Sequence, residues 1–414
     1  MNRSTATDSL WSLVALGTRA LASLVTFVVL TRSLGDEQFG FYIGVVALAG
    51  IAKPLSMAGA PDLLARNVSR DSADFARALR RVVSVASTIG VAALVILIAV
   101  GAVVIDQLDI VALALLAFAE LLSYAVPETV AKALNSLERF RDGAIVLLSL
   151  GIGRAAIAGI LAVAGVDTIA PFAAGFVVVT VVVSIGSWGA LPPERVTDRQ
   201  PLLSAEGAAF AGSHVSATIQ NDVDKSMLVA ISGGAEAGAY GAGYRLVQYS
   251  LLPVQSLLAA TYPRFFQRGV EGAAGTRSYA RRLVPMVLAY TIPVGMVLIL
   301  AAGLLARIVG GSFESVDLVI ISMAGFPAMF ALQTVFGDAL VGSGHERFRA
   351  TAAAGTAALN IALNVILLPT YGWRGAVVAT YVVEFLLLTA SYLRLRVAVR
   401  ASLAGHEVNG EVLT

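Results

Sequence analysis

The chain has 414 residues, of which 57% are hydrophobic and only 14% charged, with a formal net charge of +2. A soluble domain of ordinary composition is about 25% charged, and a mean hydropathy of +0.82 leaves too little polar surface to coat a protein of this size. A soluble enzyme, a nucleic-acid binder and a disordered chain are therefore excluded, and an integral membrane protein remains. The apolar residues are spread evenly rather than alternating with polar ones, which does not suit an outer-membrane barrel. There is no cysteine, hence no disulfide, thiolate metal site or cysteine nucleophile.

Twelve apolar stretches are long enough to cross a bilayer, which takes about 20 residues each. The first two run from Leu10 to Leu34 and from Phe39 to Ala60, and the next four centre on Val91, Leu116, Ile152 and Val179. The first stretch is too long for a signal-peptide core, so no cleavable leader is expected. A polar break rich in proline and charge, Pro192 to Ser204, follows. Six more stretches centre near Thr218, Leu251, Val294, Pro327, Leu359 and Val383, and a polar tail begins near Arg394. Proline interrupts several of them, at Pro54, Pro127, Pro253, Pro285, Pro293 and Pro327. Each is either a static kink or a hinge.

The loops follow the positive-inside rule. With a cytoplasmic N-terminus, the inner segments hold Arg3, a group from Arg66 to Arg81, Lys132 with Arg139 and Arg141, Arg195 with Arg199, a group from Arg264 to Arg282, Arg347 with Arg349, and Arg394, Arg396 and Arg400. Twenty-one basic residues lie there, against three, Arg32, Arg307 and Arg374, on the outer side. Both termini are therefore expected in the cytoplasm.

The chain repeats itself. At an offset of 198, Leu30, Gly35, Gly40 and Tyr42 fall on Leu228, Gly233, Gly238 and Tyr240; at 208, Glu138–Arg141 falls on Glu346–Arg349. The expected fold is all-α, with about twelve transmembrane helices in two six-helix lobes, 1–198 and 199–414. An even number of helices per lobe makes the repeats parallel, about an axis along the membrane normal. No segment outside the spans is long enough for an ATPase domain and no phosphate-binding G-x-x-x-x-G-K-[ST] loop occurs, so transport would draw on an ion gradient or the substrate's own.

An ionised side chain at mid-bilayer costs roughly 2.5–3.5 kcal/mol, so charges away from the interfaces are informative. The cations are Arg19, Lys53, Arg154, Lys225 and Arg245; the acids are Glu120, Asp222, Asp224 and Glu384, with Glu128 and Asp338 nearer helix ends. In the seventh stretch His214, Thr218, Asn221 and Lys225 share one face at 100° per residue, flanked by Asp222 and Asp224. Ser12, Arg19, Ser23 and Thr26 form a similar stripe in the first. These stripes suit two lobes lining one wet cavity whose five cations await an anion, and arginine's planar fork suits phosphate. The competing reading is structural pairing: Asp222 with Lys225, and Arg154 with Glu120 or Glu384. Asn221, Asp222 and Asp224 are candidates for a coupling Na⁺ or proton, or else counter-ions for Lys225 and Arg245. His214, His345 and His406 are scattered without metal-ligand spacing, and no catalytic group, metal site or cofactor is expected.

The segment LTRSLGDEQFGFY (Leu30–Tyr42) resembles the first-loop pattern of Wzx-type polysaccharide flippases. So does NDVDKSMLVAISGGAEAGAYGAGYRL, with Asp224, Gly238 and Tyr240 in matching places. The segment LNIALNVILLPTYGWRGAVVATYVVEF resembles the family's last two helices, with Asn360, Asn364, Pro369, Gly372, Gly375 and Ala376 in position. The family lies within the multidrug/oligosaccharidyl-lipid/polysaccharide exporter superfamily. The resemblance implies a non-enzymatic transporter that moves polyprenyl-linked oligosaccharide across the cytoplasmic membrane by alternating access. Its implied partners are the lipid-linked substrate, the bilayer and glycan-assembly enzymes, with no nucleic acid. The rivals are a cation-coupled drug or metabolite exporter of the same superfamily, a membrane glycosyltransferase or polymerase, and a membrane scaffold.

Overall fold

The computed structural model describes residues 3–70, 75–191 and 204–410, and the side chains of 17–69, 75, 77–191 and 204–401. Arg3, Ser12 and Arg70 as side chains, and Arg195 and Arg199, lie outside this description. The described chain is all-α, without a strand.

The helices run in chain order as α1 (Arg3–Ser56), α2 (Ala60–Arg70), α3 (Phe75–Val85), α4 (Val91–Val104), α5 (Ile110–Ser123), α6 (Thr129–Ser136), α7 (Phe140–Val163) and α8 (Ile169–Trp188). They continue as α9 (Ala205–Ser232), α10 (Gly234–Ser250), α11 (Leu252–Gly269), α12 (Gly272–Val309), α13 (Val316–Met323), α14 (Phe326–Gly342), α15 (Glu346–Tyr371) and α16 (Trp373–Gly410). Among the described residues, nine spans are long and apolar enough to cross a membrane. One of them, Gly17–Ser56, is broken at Gly35, where φ is 71°, and so supplies the first two predicted stretches. The seventh is α9, whose Asp222, Asp224 and Lys225 lower its hydropathy. The eighth is the pair α10 and α11, of 17 and 18 residues, bent at Leu251 before Pro253. With these, all twelve stretches are helical. Side chains such as Val103 and Leu300, 81% and 84% exposed, are apolar faces that only lipid would cover at no cost.

The prolines differ in what they do. Pro127 lies in a π-helical turn (Tyr124–Glu128) between α5 and α6, where the Thr129 hydroxyl donates to the Tyr124 carbonyl at 2.9 Å. Pro253 and Pro327 sit in the first turns of α11 and α14, where a missing N–H leaves nothing unpaired. Pro54 lies in the last turn of α1, while Pro285 and Pro293 lie within the continuous α12.

The repeat is visible in the backbone. Gly35 and Gly233, 198 residues apart, share one conformation (φ 71°, ψ −177° and φ 90°, ψ 172°). A positive φ of this kind suits glycine, which has no Cβ to clash. Between the fourth and fifth spans of each half the structure corrects the register. Arg139 N–H donates to Leu134 O at 2.8 Å, and His345 N–H to Leu340 O at 3.0 Å. Glu138 and Gly344 take the positive φ of these turns, 59° and 82°. The structural offset is thus 206, and the Glu-Arg-Phe-Arg match at 208 is two residues out of step. The turn is conserved in backbone geometry rather than in side chains, so glycine in one copy stands where glutamate stands in the other.

Packing groups the chain into two compact units, 1–238 and 239–414. This division differs from the repeat boundary, because α9 packs along α1 in the first unit. In that unit, Met57, Leu64, Phe75, Val82 and Leu134 form a buried cluster that ties α2, α3 and α6 to the end of α1. In the second, Tyr240, Tyr244 and Phe326 stack at centroid spacings of 5.7 Å.

Candidate functional site

Three of the charges singled out from sequence meet inside the first unit. Glu120 lies on the buried face of α5 and is 5% exposed. One of its oxygens accepts from Lys53 Nζ at 2.6 Å and the other from Arg154 Nη1 at 2.6 Å. Lys53 comes from the last turn of the first helix and Arg154 from the middle of α7, so three spans are tied at one carboxylate. Arg154 also donates to the Ala119 carbonyl and the Thr180 hydroxyl at 3.3 and 3.4 Å. Its guanidinium lies 5.4 Å from the Phe176 ring centroid, within cation–π range. Two cations thus share one carboxylate, with Glu128 also within electrostatic reach of Arg154, and the Arg154 Nε is buried without a hydrogen-bond partner. The structural pairing of Arg154 is therefore with Glu120 on α5; Glu384 lies in the second unit.

The polar stripe of α9 is resolved residue by residue. Lys225 is buried and lies 3.1 Å from Asp222 and 3.2 Å from Asp224, and it also donates to the Asn221 carbonyl. Asp224 is 1% exposed, Asp222 more open. Asn221 turns its amide back to the Ala217 carbonyl at 2.8 Å. Here two carboxylates flank one ammonium, and Asp224 and Lys225 make further interactions besides. Thr218 packs against Gly50 of α1, where a Cβ would stand 3.1 Å from its methyl. The stripe thus faces the second stretch of α1.

The remaining candidates take no part in the ion pairs of either group. Arg19 is exposed on α1, and Arg245 is half-buried on α10 in the second unit. Neither has a salt-bridge partner among the described residues.

Two features were not foreseen. Beyond the end of α1, Asp62 of α2 receives Lys132 at 2.8 Å and lies 3.5 Å from His214 of α9, the second contact being too long for a hydrogen bond. Burial pushes the Asp62 carboxyl up, and His214 and Lys132 beside it pull it further down, to about 2. Nearby, Arg66 meets Glu206 at 2.6 Å and Arg81 donates to Ser204 at 2.8 Å. These contacts join α9 to the arginine-rich end of α2 and α3. At the opposite end the two repeat corners interlock. A Cβ on Gly40 would stand 1.8 Å from Gly234 O, and one on Gly238 would stand 2.0 Å from Asp36 O. Asp36 and Gly234 are themselves 198 apart, so the contact is self-complementary in the manner of a two-fold interface. The sequence signal for this contact was present in the repeated glycines Gly40 and Gly238.

Residues 6–268, well over half of the chain, match the family described as polysaccharide biosynthesis protein. The chain belongs to that family. The match agrees with the resemblance to Wzx-type flippases. No curated protein matches the sequence. Among solved structures, the chain is similar to an inward-facing multidrug resistance MATE family transporter of the MOP superfamily, at a TM-score of 0.73 and 14% identity, covering 93% of this chain and 96% of that one. It is similar to the lipid II flippase MurJ in an inward closed conformation, at 0.70 and 13%, covering 94% and 87%. A MOP superfamily transporter from Pyrococcus furiosus, described as having a binding pocket of reverse polarity that suggests a different function, is similar at 0.60 and 14%, covering 95% of each chain. At these identities the likeness establishes the fold.

Proposed function

We propose that this protein is a flippase that translocates polyprenyl-(di)phosphate-linked oligosaccharide across the cytoplasmic membrane by alternating access, for surface polysaccharide or glycan assembly. The family description and a fold shared with a lipid II flippase support this reading. The observation that carries it is the convergence of two cations, Lys53 and Arg154, on one buried carboxylate, with the Arg154 Nε left without a hydrogen-bond partner. A buried N–H without an acceptor is costly, and a phosphate oxygen offered to the Arg154 Nε would satisfy it. Arg19 and Arg245, which have no acidic partner among the described residues, supply further cations for a diphosphate. The lipid tail would stay in the bilayer, both termini would face the cytoplasm, and glycan-assembly enzymes would supply and receive the substrate.

A second reading rests on the clustering of Asp222, Asp224 and the Asn221 carbonyl around Lys225. Two carboxylates with Asn221 beside them suit a coupling Na⁺ or proton, in a flippase or in an exporter of cationic compounds. Reconstitution separates the two: vesicles bearing the protein should transfer a fluorescent lipid-linked oligosaccharide faster than protein-free vesicles. Export of a cationic dye with no transfer of the glycolipid would overturn the flippase reading.

A further inference from the structure

The second unit contains a cavity of about 400 Å³ lined by Ala274, Arg277, Ser278, Arg281 and Arg282 of α12 and by Val399 of α16. The five α12 positions fall at i, i+3, i+4, i+7 and i+8, which is one face of a helix. Three guanidinium groups and a hydroxyl therefore converge on one opening. Arg281 and Arg282 are exposed and Arg277 is half-buried. None of the three has a salt-bridge partner among the described residues, and the acid nearest along the chain, Glu271, is taken by Arg268 at 3.2 Å.

The depth of the cavity follows from helix length. At 1.5 Å per residue the 38 residues of α12 extend for about 57 Å, whereas the hydrocarbon core is about 30 Å thick. Apolar sequence begins at Leu283, directly after Arg282. The three arginines thus stand at the level of the headgroups, and Val399 lies beyond the polar turn of α16 that begins at Arg394.

The same face continues into the bilayer. Beyond Arg282 the helical spacing of three or four residues leads through Met286, Ala289 and Pro293 to Met296 and Leu300, all exposed, the last 84%. A cationic cup at headgroup depth thus opens onto an apolar track that runs along one helix. A free phosphate ion would use only the cup; a phospholipid would use both.

We propose that this cavity binds the phosphate of an anionic glycerophospholipid, whose acyl chains lie along the exposed face of α12. Arginine forks take the phosphate oxygens in pairs, Ser278 adds a hydroxyl, and the unbalanced charge selects an anionic headgroup over a zwitterionic one. The proposal does not depend on what the protein transports.

Native mass spectrometry of the full chain in detergent tests it, with phosphatidylglycerol and phosphatidylcholine of matched acyl chains as probes. Each arginine near an anionic headgroup contributes about 1 kcal/mol, so Arg277→Ala/Arg281→Ala/Arg282→Ala should weaken the first phosphatidylglycerol adduct by about a hundredfold. A control that removes Arg264, Arg268 and Arg396 from the same end should bind as the wild type does. Because a triple change risks misfolding, Arg281→Gln alone, on an exposed side chain, should weaken the adduct by about fivefold. Equal retention of phosphatidylcholine, equal loss in the control, or no loss in Arg281→Gln and the triple variant would overturn the proposal. So would displacement of the lipid by inorganic phosphate as readily from the wild type as by added phosphatidylglycerol, which would make the cup a site for a soluble anion.

Discussion

The Lys53–Glu120–Arg154 group allows its structural and functional roles to be measured separately. In Glu120→Gln the carboxylate that accepts from both cations at 2.6 Å becomes a neutral amide. Two cations then lose the carboxylate they both contact, and only the more distant Glu128 remains near Arg154. Removing one partner of a buried pair costs about 3–5 kcal/mol, and each uncompensated cation at depth about 2.5–3.5 kcal/mol, so a loss of at least about 3 kcal/mol is expected. Arg154→Met leaves one lysine against one glutamate, a balanced pair. It forfeits the contacts to Thr180 and the Ala119 carbonyl, at about 1 kcal/mol each, and should be less damaging. Lys53→Met/Glu120→Gln/Arg154→Met removes the charges altogether, which in buried triads is often neutral or stabilising. Thermal unfolding in one detergent at one scan rate should rank stability as wild type and triple variant above Arg154→Met, and Arg154→Met above Glu120→Gln. The folded triple variant should also fail to transfer the fluorescent lipid-linked oligosaccharide. If Glu120→Gln is no less stable than Arg154→Met, the triad is not a coupled buried group. If the triple variant transfers substrate at the wild-type rate, the charges of the triad have no part in binding.

Three further outcomes are expected. Arg19→Ala and Arg245→Ala break no ion pair among the described residues, so each should unfold with the wild type while transfer falls about tenfold, the worth of a charged hydrogen bond of roughly 1.5 kcal/mol or more; unfolding at lower temperature would show a structural role instead. Gly40→Ala places a methyl 1.8 Å from Gly234 O and should destabilise by about 1–3 kcal/mol or more, whereas Gly159→Ala in α7, with nothing within 4 Å of the new Cβ, should stabilise by roughly 0.5–1 kcal/mol; the pair compared in one melting series checks both. Asp62 is held at about 2, below its ordinary value of 3.8, so its contribution is complete well above that value and is lost as pH falls from there through about 2; the stability advantage of the wild type over Asp62→Asn should be full at about pH 5 and smaller at about pH 3, and a difference that does not shrink contradicts the assignment.

The fold was legible because a bilayer enforces it. Helices must satisfy their own backbone groups in hydrocarbon, so length and hydropathy find spans directly, down to the seventh stretch, which polar residues weaken and which forms α9. The repeat was legible at Gly35 and Gly233, where a positive φ demands the same residue in both copies. It was misread at Glu138 because the turn there tolerates glutamate at φ 59°. A backbone-level equivalence leaves no side-chain signature when the strained residue can be replaced, and a chance four-residue match two positions away then wins.

The site was only half legible, for a reason that lies in charge itself. A charge placed inside a span announces itself in sequence, and every deep residue named there is charged for some purpose. What sequence does not carry is which charges meet. Glu120 gathers Lys53 from 67 positions upstream and Arg154 from 34 downstream, so that two cations share one carboxylate, while Lys225 has two acids one and three positions away on its own helix. Counted along the chain, the five deep cations and four deep acids nearly cancel. Grouped by distance they separate into a site that suits an anion and a site that suits a cation. A transporter coupling an anionic lipid to a cation gradient needs both, and the Glu120 triple variant together with Asp224→Asn would show whether one can fail without the other: loss of transfer that is independent of the ion gradient belongs to the first site, and loss of gradient dependence alone belongs to the second.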